Sequence, residues 1–386
     1  MRFLVFGHND WWTWNEQGFC GRNAALVKAL ARRSEVERIA VVDTPRYRNR
    51  THRPREHRAE AVTSVADGVV AVRYAFRLPL PAAWHPGRRA NELLGWRRLR
   101  SAVEQALPSG APRIVWVADP QAARLATSFE CDLLVFDAID DWRLLPGVDL
   151  RAVEQGYAIL AERAGLVLAV NGTLIRRLAP RGRAEVLPNA VDMALWRNVS
   201  PDPAAFPDVT PGTPVAVYVG TLQERVDVDL LAQVAAAQPG FAFRLIGPRA
   251  DGFRLPSGSP PNLRIEPAVA HEHVPGLLAA ASVCLVPHHR GGIVDTMDPL
   301  KVYEYLAAGR PVVATSPPPY EPLRPFVRVA EGSGAFASAL EDEIVHDSAA
   351  RREARYAAVA GETWDARAAR IVELLGLSRG SEGGVA

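Results

Sequence analysis

The chain has 386 residues, 48% of them hydrophobic and 23% charged; these are ordinary globular values, and at about 150 residues per domain the length suits two domains rather than one. Its 45 basic and 43 acidic side chains leave a formal charge of +2, which excludes a polyanion-binding surface spread over the whole molecule. Basicity is local instead, with six arginines between Arg46 and Arg58 and five between Arg88 and Arg100.

Cys20, Cys131 and Cys284 are odd in number, far apart and without metal-ligand spacing, so neither a disulfide framework nor a zinc site is expected and a reducing cytoplasm fits. The run R-F-L-V-F-G-H-N-D after Met1 is too short and too soon polar for a signal peptide, and no stretch reaches the about 18 apolar residues of a membrane span. The expectation is a soluble cytoplasmic protein, with peripheral contact at the inner face of a membrane left open.

Short apolar runs alternate with helical patterns, the mark of a parallel sheet wound with helices. In the first half the expected strands are 2–6, 38–42, 69–73, 113–117, 133–137, 166–170 and 184–187, and the expected helices 21–33, 88–106, 121–127, 149–164 and 172–178. The segment 200–214 packs proline and small polar residues so densely that neither period persists, which reads as a linker. The alternation then restarts with strands 215–219, 242–246, 263–266 and 283–286 and helices 227–236 and 274–281. The domain expectation is therefore 1–199, a linker 200–214, a second wound domain 215–355, and a helical tail 356–386 that packs back on the first domain. Within the helical pattern from Asp342 to Leu377 the apolar positions include Trp364, Ile371, Leu374 and Leu375.

Residues Asp298 to Thr315, D-P-L-K-V-Y-E-Y-L-A-A-G-R-P-V-V-A-T, say most. Pro299 is expected to open a helix at its first turn, Gly309 to stop it, Pro311 to prevent its resumption, and Val312 to Ala314 to run on as a buried strand. Lys301 and Glu304 then lie three apart on one side, next to a helix N-terminus carrying roughly half a positive charge. A helix start, an ammonium and a carboxylate suit a nucleoside diphosphate with its ribose hydroxyls. An ordinary amphipathic helix with a surface Lys-Glu pair fits the same spacing.

With these segments in order, V-L-P-N-A-V-D (186–192), Y-V-G-T-L (218–222), F-R-L-I-G-P (243–248), A-A-S-V-C-L-V-P (280–287) and Y-E-Y-L-A-A-G-R-P-V-V-A-T (303–315), the sequence resembles the GT-B glycosyltransferases. In particular it is similar to the large retaining family 4, glycosyltransferase group 1, which uses nucleotide-sugar donors. The resemblance implies an α/β fold of two doubly wound Rossmann-like domains facing a central cleft, with donor bound by the second domain and acceptor by the first. Three departures stand out. Thr296 occupies the place of the family's first motif glutamate, with Asp295 and Asp298 close by; Thr221 and Arg225 stand where a basic pair is usual; and D-A-I-D-D-W (137–142) sits where many relatives carry a histidine.

The resemblance assigns donor binding to Gly18, Gly220, Thr221, Arg225, Pro299, Leu300, Lys301 and Glu304, with Glu304 on the ribose and the cations and helix start on the leaving diphosphate. Asp137, Asp140 and Asp141 are the catalytic candidates, because Asp137 ends an apolar run and should emerge at the functional edge of the sheet; an N-cap role for Asp140 or Asp141 is the structural alternative. On the acceptor side stand Asp10, Trp11, Trp12 and Gly21, their aromatic faces suited to a sugar ring, though Trp11 or Trp14 covering the sheet edge fits as well. His8, Asp119, His288 and His289 fall at strand ends, where capping or solvation is commoner than catalysis. No carboxylate cluster has the spacing of a metal cage, so no bound metal and no tightly held cofactor are expected, a divalent ion being at most an escort of the diphosphate.

The expected activity is transfer of a sugar from a nucleotide-sugar to a hydroxyl on a glycan, a lipid-linked sugar or a small molecule, with retention and without nucleic acid. Thr296 and the reduced basic pair leave two rivals, a sugar-nucleotide epimerase and a non-catalytic scaffold of the same fold. The Arg46–Arg58 segment reads either as a landing patch for anionic lipid or as a solvated loop.

Overall fold

Apolar, β-branched runs of three to six residues that are buried on both faces make central parallel strands, and the chain places one after nearly every helix. The computed structural model describes residues 1–9, 11–16, 18–43, 61–73, 85–108, 111, 113–196 and 199–380. The strands are β1 (Arg2–Phe6), β2 (Arg38–Asp43), β3 (Val62–Ala66), β4 (Val69–Arg73), β5 (Arg113–Val117), β6 (Leu133–Ala138), β7 (Leu166–Ala169), β8 (Arg183–Val186), β9 (Val215–Val219), β10 (Ala242–Ile246), β11 (Leu263–Glu266), β12 (Val283–Val286), β13 (Val312–Ala314) and β14 (Val327–Val329). The α-helices are α1 (Trp11–Glu16), α2 (Arg22–Ala31), α3 (His85–Ala106), α4 (Ala123–Ala126), α5 (Leu150–Arg163), α6 (Gly172–Leu178), α7 (Val228–Ala237), α8 (Val274–Ala280), α9 (Leu300–Ala307), α10 (Gly332–Val345), α11 (Ala349–Ala360) and α12 (Trp364–Gly380). Side chains of Asp149, Asn171, Asp227 and Ser348 accept hydrogen bonds from backbone N–H groups in the first turns of α5, α6, α7 and α11, satisfying donors that a helix start leaves open.

The chain divides into two compact units, one of Met1–Leu187 with the chain from Ala368 onward, the other Pro188–Arg367. The first holds a sheet in the order β3-β4-β2-β1-β5-β6-β7-β8, parallel throughout except for β3 against β4. The second holds an all-parallel sheet, β11-β10-β9-β12-β13-β14. The strand order reverses direction between β1 and β5 in one sheet and between β9 and β12 in the other, and the carboxyl ends of strands at such reversals are where open α/β sheets bind ligands.

In the second sheet the two-residue period of a strand divides the core cleanly. Val217, Cys284, Val286, Val312 and Ala314 face one buried cluster with α9, while Ala216, Tyr218, Val283, Leu285 and Val313 face the other with α7 and α10. The proline-rich segment 200–214 is fixed to this unit: the Asp202 N–H donates to the Gly276 carbonyl at 3.0 Å, Ala205 and Phe206 pack on the first cluster, and Asp208 pairs with Arg244 at 3.0 Å.

Three elements carry no strong signal in the sequence. β3 is a half-buried edge strand with a register shift between Ser64 and Ala66, β14 has three residues, and α1 has six. The helical tail is broken by the capping Ser348 before α11 and by Gly361 after it. Helix α5 approaches the backbone of Pro120 so closely that a Cβ on Gly156 would stand 1.9 Å from the Pro120 carbonyl oxygen. Gly156→Ala is therefore expected to destabilise the first unit by about 3 kcal/mol, the upper range for forced overpacking, measured as a lowered denaturant midpoint at unchanged slope; an unchanged midpoint contradicts this packing.

Candidate functional site

The second unit gathers its polar residues at the reversal between β9 and β12. β9 is followed by Gly220, whose φ of +142° admits glycine and few others and whose N–H donates to the Ile246 carbonyl at 2.9 Å. A side chain on Gly247 would stand 2.1 Å from the Gly220 carbonyl oxygen, so two glycines allow the β9 and β10 turns to lie against each other. Tyr305 of α9 fixes the same turn, accepting from the Val219 N–H at 2.8 Å and donating to the Val219 carbonyl at 3.3 Å.

Helix α9 begins at Leu300, with Pro299 as its cap at φ −67°, one residue later than the sequence suggests. Pro299 supplies no side-chain cap, so the first N–H groups of α9 remain available. Lys301, in the first turn, is 9% exposed. Its ammonium lies 4.8 Å from the centre of the Tyr218 ring, and a Cβ on Gly220 would come within 3.1 Å of its Cε. No carboxylate pairs with Lys301 or with Arg225 among the described residues; Arg225 instead reaches the Met297 sulfur at 3.8 Å. Lys301 is thus a buried cation without a counter-ion, which is costly until it is paired, while the half-buried Arg225 is also reached by the side-chain carbonyl of Gln223 at 2.8 Å.

Glu304, one turn along α9, is held by a residue that sequence reasoning did not single out: His271 Nε2 lies 2.9 Å from Glu304 Oε1. The hydrogen bond to Glu304 raises the His271 pKa above 6.5, while burial opposes it. The H-E-H triplet of residues 271–273 offered no periodic cue, and only the fold brings it to α9. Thr221 is exposed and its carbonyl accepts from the Tyr218 hydroxyl at 3.2 Å. Thr296 is fully buried, its hydroxyl donating to the Ile293 carbonyl at 2.9 Å. Asp298 Oδ2 accepts from the Asn189 N–H at 2.7 Å and the Tyr303 hydroxyl at 2.8 Å, which ties the α9 approach to the P-N-A-V-D segment. His289 is half exposed and 3.3 Å from Asp227.

The first unit corrects several expectations. Asp137 is fully buried in β6. Its Oδ1 accepts from Arg22 Nη2 at 2.8 Å and Nε at 3.1 Å, and its Oδ2 from Asn23 Nδ2 at 3.2 Å. Fully buried and with both oxygens engaged, the carboxylate ties α2 to the sheet instead of standing exposed at its edge. Asp141 is 2% exposed and caps the turn at Trp142–Leu144 while pairing with Arg143 at 2.7 Å and Arg177 at 3.5 Å. Burial pushes its pKa up, but the Arg143 hydrogen bonds and charge more than offset that and hold it below the usual range. Asp140 is half-buried, its carbonyl accepting from the Tyr157 hydroxyl at 3.1 Å.

Gly18 sits in the turn that ends α1, at φ +66°, followed by Phe19 at +57°; the Phe19 N–H returns to the Trp14 carbonyl at 2.8 Å. The left-handed backbone at this position favours glycine. Gly21 caps α2, and a Cβ placed on it would meet nothing within 4 Å, so its backbone is approachable. Trp11 and Trp14 are buried, packed edge-on to each other at 6.4 Å, with Phe19 against Trp11 at 4.9 Å; of the three tryptophans, Trp12 is half-buried. Asp119 caps the turn at Pro120, and the exposed His8 stands edge-on to Trp142 at 4.9 Å. Asp10 and the Arg46–Arg58 segment lie outside the described residues. Among the described residues no group of three His, Cys, Asp or Glu side chains is placed to hold a metal, and no helix is long and apolar enough to cross a membrane.

The family model for "Glycosyl transferases group 1" matches residues 213–342, the span that contains Gly220, Arg225, His271, Lys301 and Glu304. A putative teichuronic acid biosynthesis glycosyltransferase of Bacillus subtilis, TuaH, is 22% identical over 251 residues, covering 58% of this chain. The match spans 60% of that relative's length. Sucrose-phosphate synthase from Thermosynechococcus elongatus superposes with a TM-score of 0.68 at 15% identity, covering 98% of this chain and 99% of its own. HepE of Anabaena in complex with UDP-glucose superposes with a TM-score of 0.65 at 15% identity, covering 97% and 99%. The chain therefore has the two-domain α/β GT-B fold of these proteins.

Two outcomes follow from the ionic contacts. Asp137→Ala removes the carboxylate that pairs with the buried Arg22 guanidinium and is expected to destabilise the first unit by about 3 kcal/mol, read as a drop in its melting temperature; wild-type stability contradicts the anchoring role. Because Glu304 raises the His271 pKa, the pair's stabilisation is fully present below pH 6.5 and is lost as pH rises through the raised value. The melting-temperature difference between wild type and His271→Ala is therefore expected to shrink from pH 6 to pH 9, by a few degrees for a contribution of about 1 kcal/mol; a difference that grows with pH contradicts it.

Proposed function

We propose that the protein is a glycosyltransferase that takes a sugar from a nucleoside-diphosphate donor held by the second unit and transfers it to a hydroxyl acceptor with retention of configuration. The observation that carries this reading is the pair of cations without counter-ions, Lys301 and Arg225, beside the open N-terminus of α9. The group 1 domain match over these residues supports it, as does the likeness to HepE, which was crystallised with UDP-glucose.

In this reading the diphosphate supplies the negative charge that Lys301 and Arg225 lack. Backbone N–H groups of Leu300 and Lys301, with Gly220, approach its oxygens, and Glu304 accepts hydrogen bonds from the ribose. Glu304 Oε1 is engaged by His271, so Oε2 is the oxygen open to a ribose hydroxyl. Departure of the nucleoside diphosphate leaves added negative charge on the phosphate oxygens, and cations already in place stabilise it without reorganisation. Thr296, buried and bonded to its own turn, offers no carboxylate to the sugar, so catalysis rests on stabilising the leaving group. The buried state of Asp137 leaves the acceptor hydroxyl to be deprotonated by another group, and the departing phosphate oxygen is the base the reading assigns.

Lys301→Ala removes a charge-assisted hydrogen bond of about 1.5 to 3 kcal/mol and is expected to weaken nucleoside diphosphate binding at least about tenfold, with little effect on binding of the nucleoside alone. Glu304→Ala is expected to weaken both. Calorimetry with uridine and guanosine diphosphates and their nucleosides makes the comparison; wild-type affinity in either variant contradicts the assigned contact. Release of free nucleotide from the donor only when an acceptor is present separates transfer from epimerisation and from a scaffold role.

A further inference from the structure

His288 follows β12, where the strand order of the second sheet reverses, and it is 2% exposed. Both of its ring nitrogens are buried and neither has a hydrogen-bond partner. Its backbone is fixed on every side. The N–H donates to the Val286 carbonyl at 3.1 Å, the carbonyl accepts from the Thr315 hydroxyl at 2.5 Å, and the residue bridges to Val226. The next residue donates its N–H to the Arg225 carbonyl at 2.9 Å. The imidazole is therefore held where it is by the main chain and not by any demand of its own.

A buried imidazole with two unsatisfied nitrogens is costly to the fold, and a hydrophobic residue of similar size would avoid that cost. The surroundings indicate what the ring is kept for. Tyr218 has the His288 ring edge-on at 6.1 Å and the Lys301 ammonium over it at 4.8 Å, so one aromatic ring is shared by both side chains. The pocket that His288 lines also contains Met297, which Arg225 touches, and Pro299, the residue before the first turn of α9. The orphaned ring thus stands among the same residues that leave two cations without counter-ions.

We propose that His288 is a third side chain of the diphosphate site, donating a ring N–H to a phosphate oxygen alongside Lys301 and Arg225. This rests on the proposed donor site and adds a ligand to it. The charged or titratable groups that act on the ring are Lys301, Arg225 and His289, with no carboxylate among them. Burial first, and then those three, push the His288 pKa down to about 2, so the ring is neutral in the empty site and one nitrogen carries a proton to donate. A bound diphosphate reverses the field of the two cations and raises the pKa of the ring. As the sugar departs and charge builds on the phosphate, the hydrogen bond from His288 strengthens.

The test combines stability with binding. His288→Phe fills the position with an apolar ring and His288→Gln keeps a donor; both are compared with wild type for melting temperature and, by calorimetry, for uridine and guanosine diphosphates and the matching nucleosides. Expected for His288→Phe is a melting temperature at or above wild type together with at least a tenfold loss of diphosphate affinity and less than a twofold loss of nucleoside affinity. His288→Gln is expected to recover part of the diphosphate affinity. In the wild type, nitrogen-15 spectra of the His288 ring should show the neutral form from pH 5.5 to 8.5 without ligand and a rise of its pKa with diphosphate bound. Equal losses for nucleoside and diphosphate, or diphosphate affinity unchanged in His288→Phe, overturn the inference while leaving the donor site standing. A wild-type protein that binds none of these nucleotides overturns both.

Discussion

An ammonium buried at the first turn of α9 with only an aromatic ring against it is the constraint around which the second unit is arranged. Lys301 has Tyr218 below it and Gly220 beside it, and any side chain at Gly220 would press on it. Gly220 keeps its unusual backbone because Gly247 leaves room for its carbonyl and because Tyr305, from the same helix as Lys301, bonds both polar groups of Val219. Strand ends, glycine turns and helix start thus hold one positive charge in a place where nothing in the described protein neutralises it. In the proposed function the substrate's pyrophosphate completes that electrostatic arrangement.

The two units use charge in opposite ways. In the first, Asp137 and Arg22 are both buried and satisfy each other, so their pairing is internal and fixes α2 on β6. In the second, Lys301 and Arg225 have no such carboxylate among the described residues. A closed ion pair of the first kind is costly to break, and the unpaired cations of the second kind are what the proposed function assigns to the diphosphate. Glu304 lies between the cases: His271 takes one of its oxygens and leaves the other.

The wound sheets were legible because long apolar runs buried on both faces have few other uses, and the D-P-L-K-V-Y-E-Y-L-A-A-G-R-P-V-V-A-T segment carried helix, stop and strand in eighteen residues. β3 was not legible, because a half-polar edge strand of five residues lacks that signal, and neither was α1, whose clustered tryptophans suggested a binding platform when two of them are core. The apolar run places Asp137 next to the last residue of β6, but direction along a strand does not reveal a guanidinium arriving from α2, which is 115 positions away in sequence. His271 was hidden for the same reason and became visible through its contact with Glu304; His288 stands out in the sequence as a strand-end residue, but only the fold shows that its ring has no partner. Local spacing shows which helix starts can take an anion; only tertiary packing shows which polar groups are already occupied.

A crystal structure of the protein with a nucleoside diphosphate tests the central claim most directly. The account predicts the pyrophosphate at the N-terminus of α9, within hydrogen-bond distance of Lys301 Nζ, with a ribose hydroxyl on Glu304. A nucleotide bound elsewhere, or one at α9 with Lys301 still on the Tyr218 ring and out of reach of every phosphate oxygen, contradicts it.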